Sequence, residues 1–251
     1  MPSAHDADRR FGGLSRLYGI NGAQQIRQAH VVVVGVGGVG SWAVECLARS
    51  GVDALTLIDM DHVAESNVNR QLHALTTTLG QSKGQAMKER IALIHPGCLV
   101  TVVDDFISPK NINQLLALHC DALIDACDQV SAKVAMAAWA MQYQKCFVTV
   151  GAAGGKQLAH LVDMADLAHT THDPLLAQLR QQLRKHHAAP QSGTAFGIQA
   201  VFSKEPVQRP SGDTALSTDH NLNCHGYGSV VSVTATFGNC AAGWVLNQLA
   251  A

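Results

Sequence analysis

A run of β-branched residues passes straight into a glycine cluster over residues 30–40, HVVVVGVGGVG. Residues 31–34 show no polar alternation, which suits a parallel strand buried on both faces. Gly35, Gly37 and Gly40 have the spacing GxGxxG, with Gly38 between them, directly before a helical stretch at 41–50. Such glycines permit a tight turn and close backbone approach, and the following helix offers free N–H groups to a phosphate. The glycine spacing alone is a weak signal. Its setting between strand and helix is what commits the chain to an α/β, doubly wound, mostly parallel sheet with a nucleotide loop.

The next strand, Ala54–Ile58, ends at Asp59, about 20 residues past the glycines, where such folds place an acid for ribose hydroxyls. The other reading of Asp59 is a cap or turn residue. Up to this point an NAD site and an ATP site read alike. The cluster SNVNRQ (66–71) and Lys83 separate them. An NAD pyrophosphate is held mostly by backbone amides, whereas stabilising charge at a reacting α-phosphate needs fixed cations and donors. Asn67, Arg70, Gln71 and Lys83 supply both.

The series GxGGxG, D-x-D at Asp59 and Asp61, S-N-x-x-R-Q, then lysine resembles the ubiquitin-activating-type superfamily. Its bacterial members adenylate the C-termini of sulfur-carrier proteins. The resemblance implies that Asp59 holds the ribose of ATP and that Asn67, Arg70, Gln71 and Lys83 hold its phosphates. It also implies a D-x-x-D-N corner after a later strand. Here that corner reads DACDQ (125–129), which gives Asp128 the Mg²⁺ on ATP and puts Gln129 where the family has asparagine. A carboxylate with phosphate oxygens suits Mg²⁺. The plain structural reading of Asp128 is a helix N-cap before Val130. In the polar lead-in 1–29, the superfamily sends an arginine into the partner subunit's ATP site, and Arg10 and Arg16 are both candidates. A solvated helix is the competing reading. Homodimerisation is implied with it.

Strands are expected at Leu99–Val103, 121–125, Cys146–Val150 and 158–164. Helices are expected at Lys83–Ile94, 111–117, Val130–Tyr143 and 174–185. A further element lies at 196–202, and 204–228 reads as a polar loop. The 251 residues are expected to form one adenylating domain: a lead-in (1–29), a nucleotide-binding core (30–164) and a substrate- or dimer-facing part (165–251). Apolar residues make up 47%, ample for a core, and a net charge of −1 advertises no global affinity for nucleic acid. RNA contact must then be a local patch. The segment 173–187 offers one in Arg180, Arg184 and Lys185, against the alternative of an ordinary exposed helix face. Seven cysteines show no paired spacing and no secretory signal is present, so they read as reduced thiols of a cytoplasmic protein. With no CxxC pair, a structural zinc is not expected. Residues 229–251 are apolar and long enough for a membrane span. Polar and glycine interruptions favour a buried or dimer-packing helix over membrane association.

RFGG and RLYG near residue 10, GVGGVGSW (35–42), TLIDMD (56–61), NVNRQ (67–71) and VTATFG (233–238) narrow the resemblance to one branch, the tRNA threonylcarbamoyladenosine dehydratases. That branch implies ATP-dependent dehydration of threonylcarbamoyladenosine beside the tRNA anticodon. The threonyl carboxylate is adenylated and the ring closes intramolecularly. A sulfur-relay protein is a possible partner by the same resemblance. The alternatives are adenylation of a sulfur-carrier C-terminus, an NAD-dependent oxidoreductase, and a binding module without catalysis. No protein nucleophile is required. Cys224, beside His225, reads as a loop thiol rather than a thiolate.

Overall fold

The computed structural model describes residues 4–116, 120–191, 193–208 and 227–251. Cys224 and most of the expected loop at 204–228 lie outside them. The strands are β1 (His30–Val34), β2 (Ala54–Ile58), β3 (Leu99–Val103), β4 (Ala122–Asp125), β5 (Cys146–Val150), β6 (Val162–Asp166) and β7 (Gln199–Ser203). They form one sheet in the order β3-β2-β1-β4-β5-β7-β6, parallel except for the antiparallel pairing of β6 with β7.

The valine run of β1 shows why the sheet is wound on both faces. Successive strand residues point to opposite sides. Val31 and Val33 enter one apolar cluster, Val32 and Val34 the other, and all four are buried. The first cluster is covered by α2 (Gly40–Arg49), α3 (Lys83–Ile94) and α7 (Val231–Leu249), through residues such as Leu47, Ile91 and Phe237. The second lies under α5 (Val130–Tyr143) and α6 (Pro174–His186), through Met136, Leu179 and Leu183. Two helices complete the order: α1 (Ala4–Gln28), kinked at Gly19 with φ 75°, and the short α4 (Ile112–Leu115).

Three expectations need correction. The helix expected at 111–117 is, within the described residues, only the single turn of α4: Asn111 stands before it, its side chain bonding Ser108 and Phe106, and the chain turns extended at Leu116 with φ −91° and ψ 100°. The strand expected at 158–164 starts at Val162, because Ala159–Leu161 forms a 3₁₀ turn and Leu158 gives its N–H to the Glu205 carboxylate. The element at 196–202 begins pairing only at Gln199, since Phe196 and Gly197 donate to the Asp166 carboxylate.

The apolar C-terminal stretch is α7, buried inside this chain against α2, and no described helix is long and apolar enough to cross a membrane. The seam turns on Gly238. A Cβ there would sit 2.4 Å from the Val39 carbonyl oxygen and 2.9 Å from the Ala43 nitrogen. By contrast, nothing lies within 4 Å of a Cβ at Gly243 in the same helix. Overpacking costs roughly 1–3 kcal/mol, and each kcal/mol moves Tm by about 2–4 °C in a chain of this size. Thermal melts should therefore show Gly238→Ala lowered by about 3–10 °C, with Gly243→Ala unchanged or raised by the better helix former.

Candidate active site

Parallel strands leave a crevice at their carboxyl ends where the strand order reverses. Here β1 lies between β2 and β4, so the loops after β1 and β4 part around a cleft of about 520 Å³. Gly35 makes the divergence possible. Its φ is +83°, and a Cβ would stand 2.9 Å from the Ala126 carbonyl and the Cys127 nitrogen. Gly40 closes the turn, because a Cβ there would lie 1.8 Å from the Gly35 oxygen. Val39 precedes α2 with no side-chain cap, and the Ser41, Trp42 and Ala43 N–H groups return to the Gly37 and Val39 carbonyls, so the positive end of the helix meets the cleft through the loop of Gly37, Gly38 and Val39 that lines it.

Gly35, Gly37, Gly38, Asp59, Asp61, Asn67, Arg70, Gln71, Lys83, Asp128 and Gln129 all line this cleft. Gly40 lies behind it. Arg10 and Arg16 are not brought into it within one chain. Arg10 donates to the Ile94 carbonyl at 2.8 Å and lines a separate hollow with Phe11 and Arg90, and Arg16 is exposed on α1.

Each polar residue arrives with commitments. The two oxygens of Asp59 accept from the Val36 N–H at 2.6 Å and the Asp61 N–H at 2.9 Å, so the turn reading is realised and the carboxylate organises the glycine loop. Burial pushes the Asp59 carboxyl up, against the pull of Lys83 and of these amides. Lys83 opens α3, and its Nζ donates to Asp61 at 2.7 Å while its stem is buried. The bridge between His62 and Ser82 sets that pairing. Arg70 Nη1 donates to the Ser66 carbonyl and to Asn69 Oδ1, at 2.8 and 2.9 Å. Its carbonyl accepts from the Trp42 indole at 3.0 Å, and Gly38 lies against its stem. Asn67 uses its oxygen to accept from the Ala64 N–H at 3.1 Å, leaving its amide nitrogen as the group available to a ligand. Gln71 Oε1 is buried with no hydrogen-bond partner among the described residues, an acceptor that calls for a donor.

Asp128 is not a helix cap. The N-cap of α5 is Gln129, whose side chain makes no capping bond, and Asp128 stands exposed at the cleft with no ion pair among the described residues. An exposed carboxylate is one oxygen ligand of the kind Mg²⁺ takes, and among the described residues no group of three histidine, cysteine or acidic side chains gathers to hold a metal, so further oxygens must come from a ligand or water. Behind Asp128 lies a network that the sequence pattern did not disclose. Lys133 is fully buried, and its Nζ donates to Asp125 Oδ2 (3.0 Å), Thr149 Oγ1 (3.2 Å) and the Val150 carbonyl (2.7 Å). Thr149 Oγ1 also donates to Asp125 Oδ2 at 2.6 Å, and Asp125 Oδ1 accepts from the Cys127 N–H and thiol. Asp125 thus braces the loop from beneath. Burial first, then the Asp125 charge, pushes the Cys127 thiol well up. A lysine eight residues after Asp125, inside an alanine-rich helix, was the available signal.

The basic residues of α6 are partly committed to structure. Arg180 bonds the Thr170 hydroxyl and carbonyl and the Leu167 carbonyl, and Arg184 donates to the Pro190 carbonyl and stacks over Phe196. Together with the exposed Lys185 they line one shallow hollow, so a basic patch is present with two of its guanidinium groups fixed in direction.

His73 also carries no signal in the sequence. It is 2% exposed, and its Nε2 lies 2.7 Å from the Val36 carbonyl. A carbonyl only accepts, so Nε2 carries the proton and Nδ1 is left buried without a partner among the described residues. Burial lowers its pKa to about 4, and the nearby Lys83 charge acts in the same direction.

Both buried groups can be tested through stability. Removing one member of a buried pair strands the other charge, at about 3–5 kcal/mol. Lys133→Met should lower Tm by about 10 °C, and adding Asp125→Asn should recover part of that loss; equal melts for the single and double variants would contradict the buried-charge account. For His73, the unfolded chain takes up a proton near the ordinary value of 6.5 while the folded chain waits until about 4. Its contribution is therefore complete above pH 6.5 and lost as pH falls towards 4, by about 3 kcal/mol. Denaturant titrations of wild type and His73→Phe should converge over that interval.

Comparison with known proteins gives a single direction. Residues 10–250 match the ThiF family. The chain is 44% identical over 251 residues to the tRNA threonylcarbamoyladenosine dehydratase of Haemophilus influenzae, covering 99% of this chain and 96% of that one. It is 41% identical over 252 residues to the protein of the same name from Escherichia coli, covering 97% and 94%. It superposes on the crystal structure of the E. coli tRNA N6-threonylcarbamoyladenosine dehydratase in complex with ATP with a TM-score of 0.90, at 41% identity, covering 99% of this chain and 97% of that one.

Proposed function

We propose, on the premise that this chain belongs to the ThiF family, that it is a tRNA threonylcarbamoyladenosine dehydratase that uses ATP to activate a carboxylate. The observation that carries this reading is the convergence of Arg70, Lys83 and Asp128 on one glycine-floored cleft, in a chain alike over its whole length to an ATP-bound dehydratase.

ATP lies with its phosphates over Gly37 and Gly38, at the uncapped start of α2. Asp59 faces the ribose. Arg70 and the amide nitrogens of Asn67 and Gln71 hold phosphate oxygens. A carboxylate oxygen of the threonyl group attacks the α-phosphorus, pyrophosphate leaves, and an acyl-adenylate forms. The substrate's own carbamoyl group then attacks the activated carbonyl, AMP leaves, a urea N–H proton is released, and the nucleoside has lost one water. Ring closure is intramolecular, so proximity supplies much of that step. Activation is the protein's task. Lys83 must share or exchange Asp61 for a phosphate oxygen to place its charge where negative charge grows. Asp128 would hold Mg²⁺, which when bound neutralises phosphate charge.

The RNA is met along α6. Leu175, in its first turn, lines the cleft, and Lys185 lies about 15 Å further along the helix at 1.5 Å per residue. Arg180, Arg184 and Lys185 therefore lead outward from the cleft as phosphate-backbone contacts. The whole chain acts as one domain in a homodimer, the partner's lead-in supplying Arg10 or Arg16. Its substrate places it in the cytoplasm.

Purified protein should be incubated with ATP, Mg²⁺ and threonylcarbamoylated tRNA, beside unmodified tRNA. The expected result is AMP release with the modified tRNA only, together with loss of one water from the nucleoside by mass spectrometry. Asp128→Ala should lower both by at least about a hundredfold. AMP formation indifferent to the tRNA modification would sink this reading and turn the search to a carrier protein's C-terminus.

A further inference from the structure

We propose that His73 is a positioning residue of the nucleotide site, locking the glycine turn against the segment that carries Arg70 and Gln71 through its bond to the Val36 carbonyl. The inference rests on reading the cleft as an ATP site. Val36 is held from two sides. Its N–H donates to Asp59 at 2.6 Å and its carbonyl accepts from His73 at 2.7 Å. Its side chain is itself fully buried, so the residue cannot turn.

This grip matters because of the two glycines after Val36. Gly37 and Gly38 line the cleft and have no side chains to hold their own direction. The orientation of their N–H groups is therefore set by the peptide before them. His73 lies two residues after Gln71 and three after Arg70. The N–H of Leu72, between them, donates to Ser41 Oγ at 3.2 Å, in the first turn of α2. His73 and Leu72 thus staple one donor-bearing segment to the other. The backbone donors of the turn and the side-chain donors of the segment are held at one separation, the one a triphosphate must match. His73 does not line the cleft and touches no nucleotide; it acts through Val36. The position needs a neutral donor of that reach. A lysine there would bring a second charge beside Lys83, and an asparagine is too short.

The test compares wild type with His73→Gln, His73→Asn and His73→Phe. Glutamine carries its amide nitrogen at about the reach of Nε2, asparagine only at that of Nδ1, and phenylalanine fills the space without a donor. ATP affinity is read by displacement of a fluorescent ATP analogue, and KM values by AMP formation on threonylcarbamoylated tRNA, each per folded molecule from thermal melts. We expect the phenylalanine and asparagine variants to weaken ATP binding and raise KM for ATP roughly tenfold or more, with KM for tRNA unchanged. The glutamine variant should stay within about threefold of wild type. If the phenylalanine variant does not fold, the glutamine–asparagine contrast decides. Unchanged ATP affinity in the asparagine variant, or equal losses with glutamine and asparagine, overturns the proposal. Wild type that binds ATP yet forms no AMP with the modified tRNA would sink the dehydratase reading, while the displacement arm still decides the role of His73.

Discussion

The contact between the backbone of Gly35 and that of Ala126 and Cys127 governs the rest of the molecule. Two neighbouring parallel strands must end in loops that turn opposite ways, and at this point the loops pass within van der Waals distance before parting. Any side chain at Gly35 would wedge them apart and change the width of the cleft they enclose. Everything polar is arranged around that crossing. Asp59 grips the first loop, Asp125 braces the second, and the helices that start at Gly40 and Val130 carry the two loops away on opposite faces of the sheet.

The cleft is organised by the protein's own hydrogen bonds. Asp59, Asp61, Asn67 and Arg70 are each fixed by at least one hydrogen bond to the protein's own groups. Dipoles and charges set in advance need not reorganise when charge develops on a substrate, which is the largest advantage a protein site has over water. The cost is carried underneath. Asp125 and Lys133 are fully buried and tolerable only because the Thr149 hydroxyl, the Val150 carbonyl and the Cys127 N–H complete their bonding. Gln71 Oε1 and His73 Nδ1 remain unpaired among the described residues.

Most of the fold was readable because its signals are local. Four valines without polar alternation specify a strand buried on both faces, and glycine spacing specifies the turn. The motif residues of the cleft were readable because each sits at a strand end or in a short polar cluster. What escaped reading depends on distant partners. His73 looks like any histidine in a polar stretch, and only the return of the chain past Val36 gives it a bond. Asp59 was readable as an acid at the right place, yet its grip on Val36 is a matter of geometry across 23 positions. Arg180 and Arg184 read as a free basic face, but the Thr170 and Pro190 groups that claim them come from loops with no pattern of their own. Leu158 read as strand and Phe196 as the start of a further element, and carboxylates elsewhere in the fold took their N–H groups first.

The seam between α7 and α2 sets a schedule as well as a shape. Thr234 approaches the Arg70 carbonyl from 164 positions further along the chain, and Gly238 seats against the very start of the nucleotide helix. Such long-range closure comes late in folding, because loop entropy must be met before the contact rewards it. A nascent chain emerging from the ribosome can therefore pair β1, β2 and β4 and display the whole glycine motif while the back of α2 is still bare. The cleft acquires its final floor only when α7 has been made and docked. Until then an ATP-site sequence exists without a finished site, and exposed apolar surface on α2 is what a chaperone would meet.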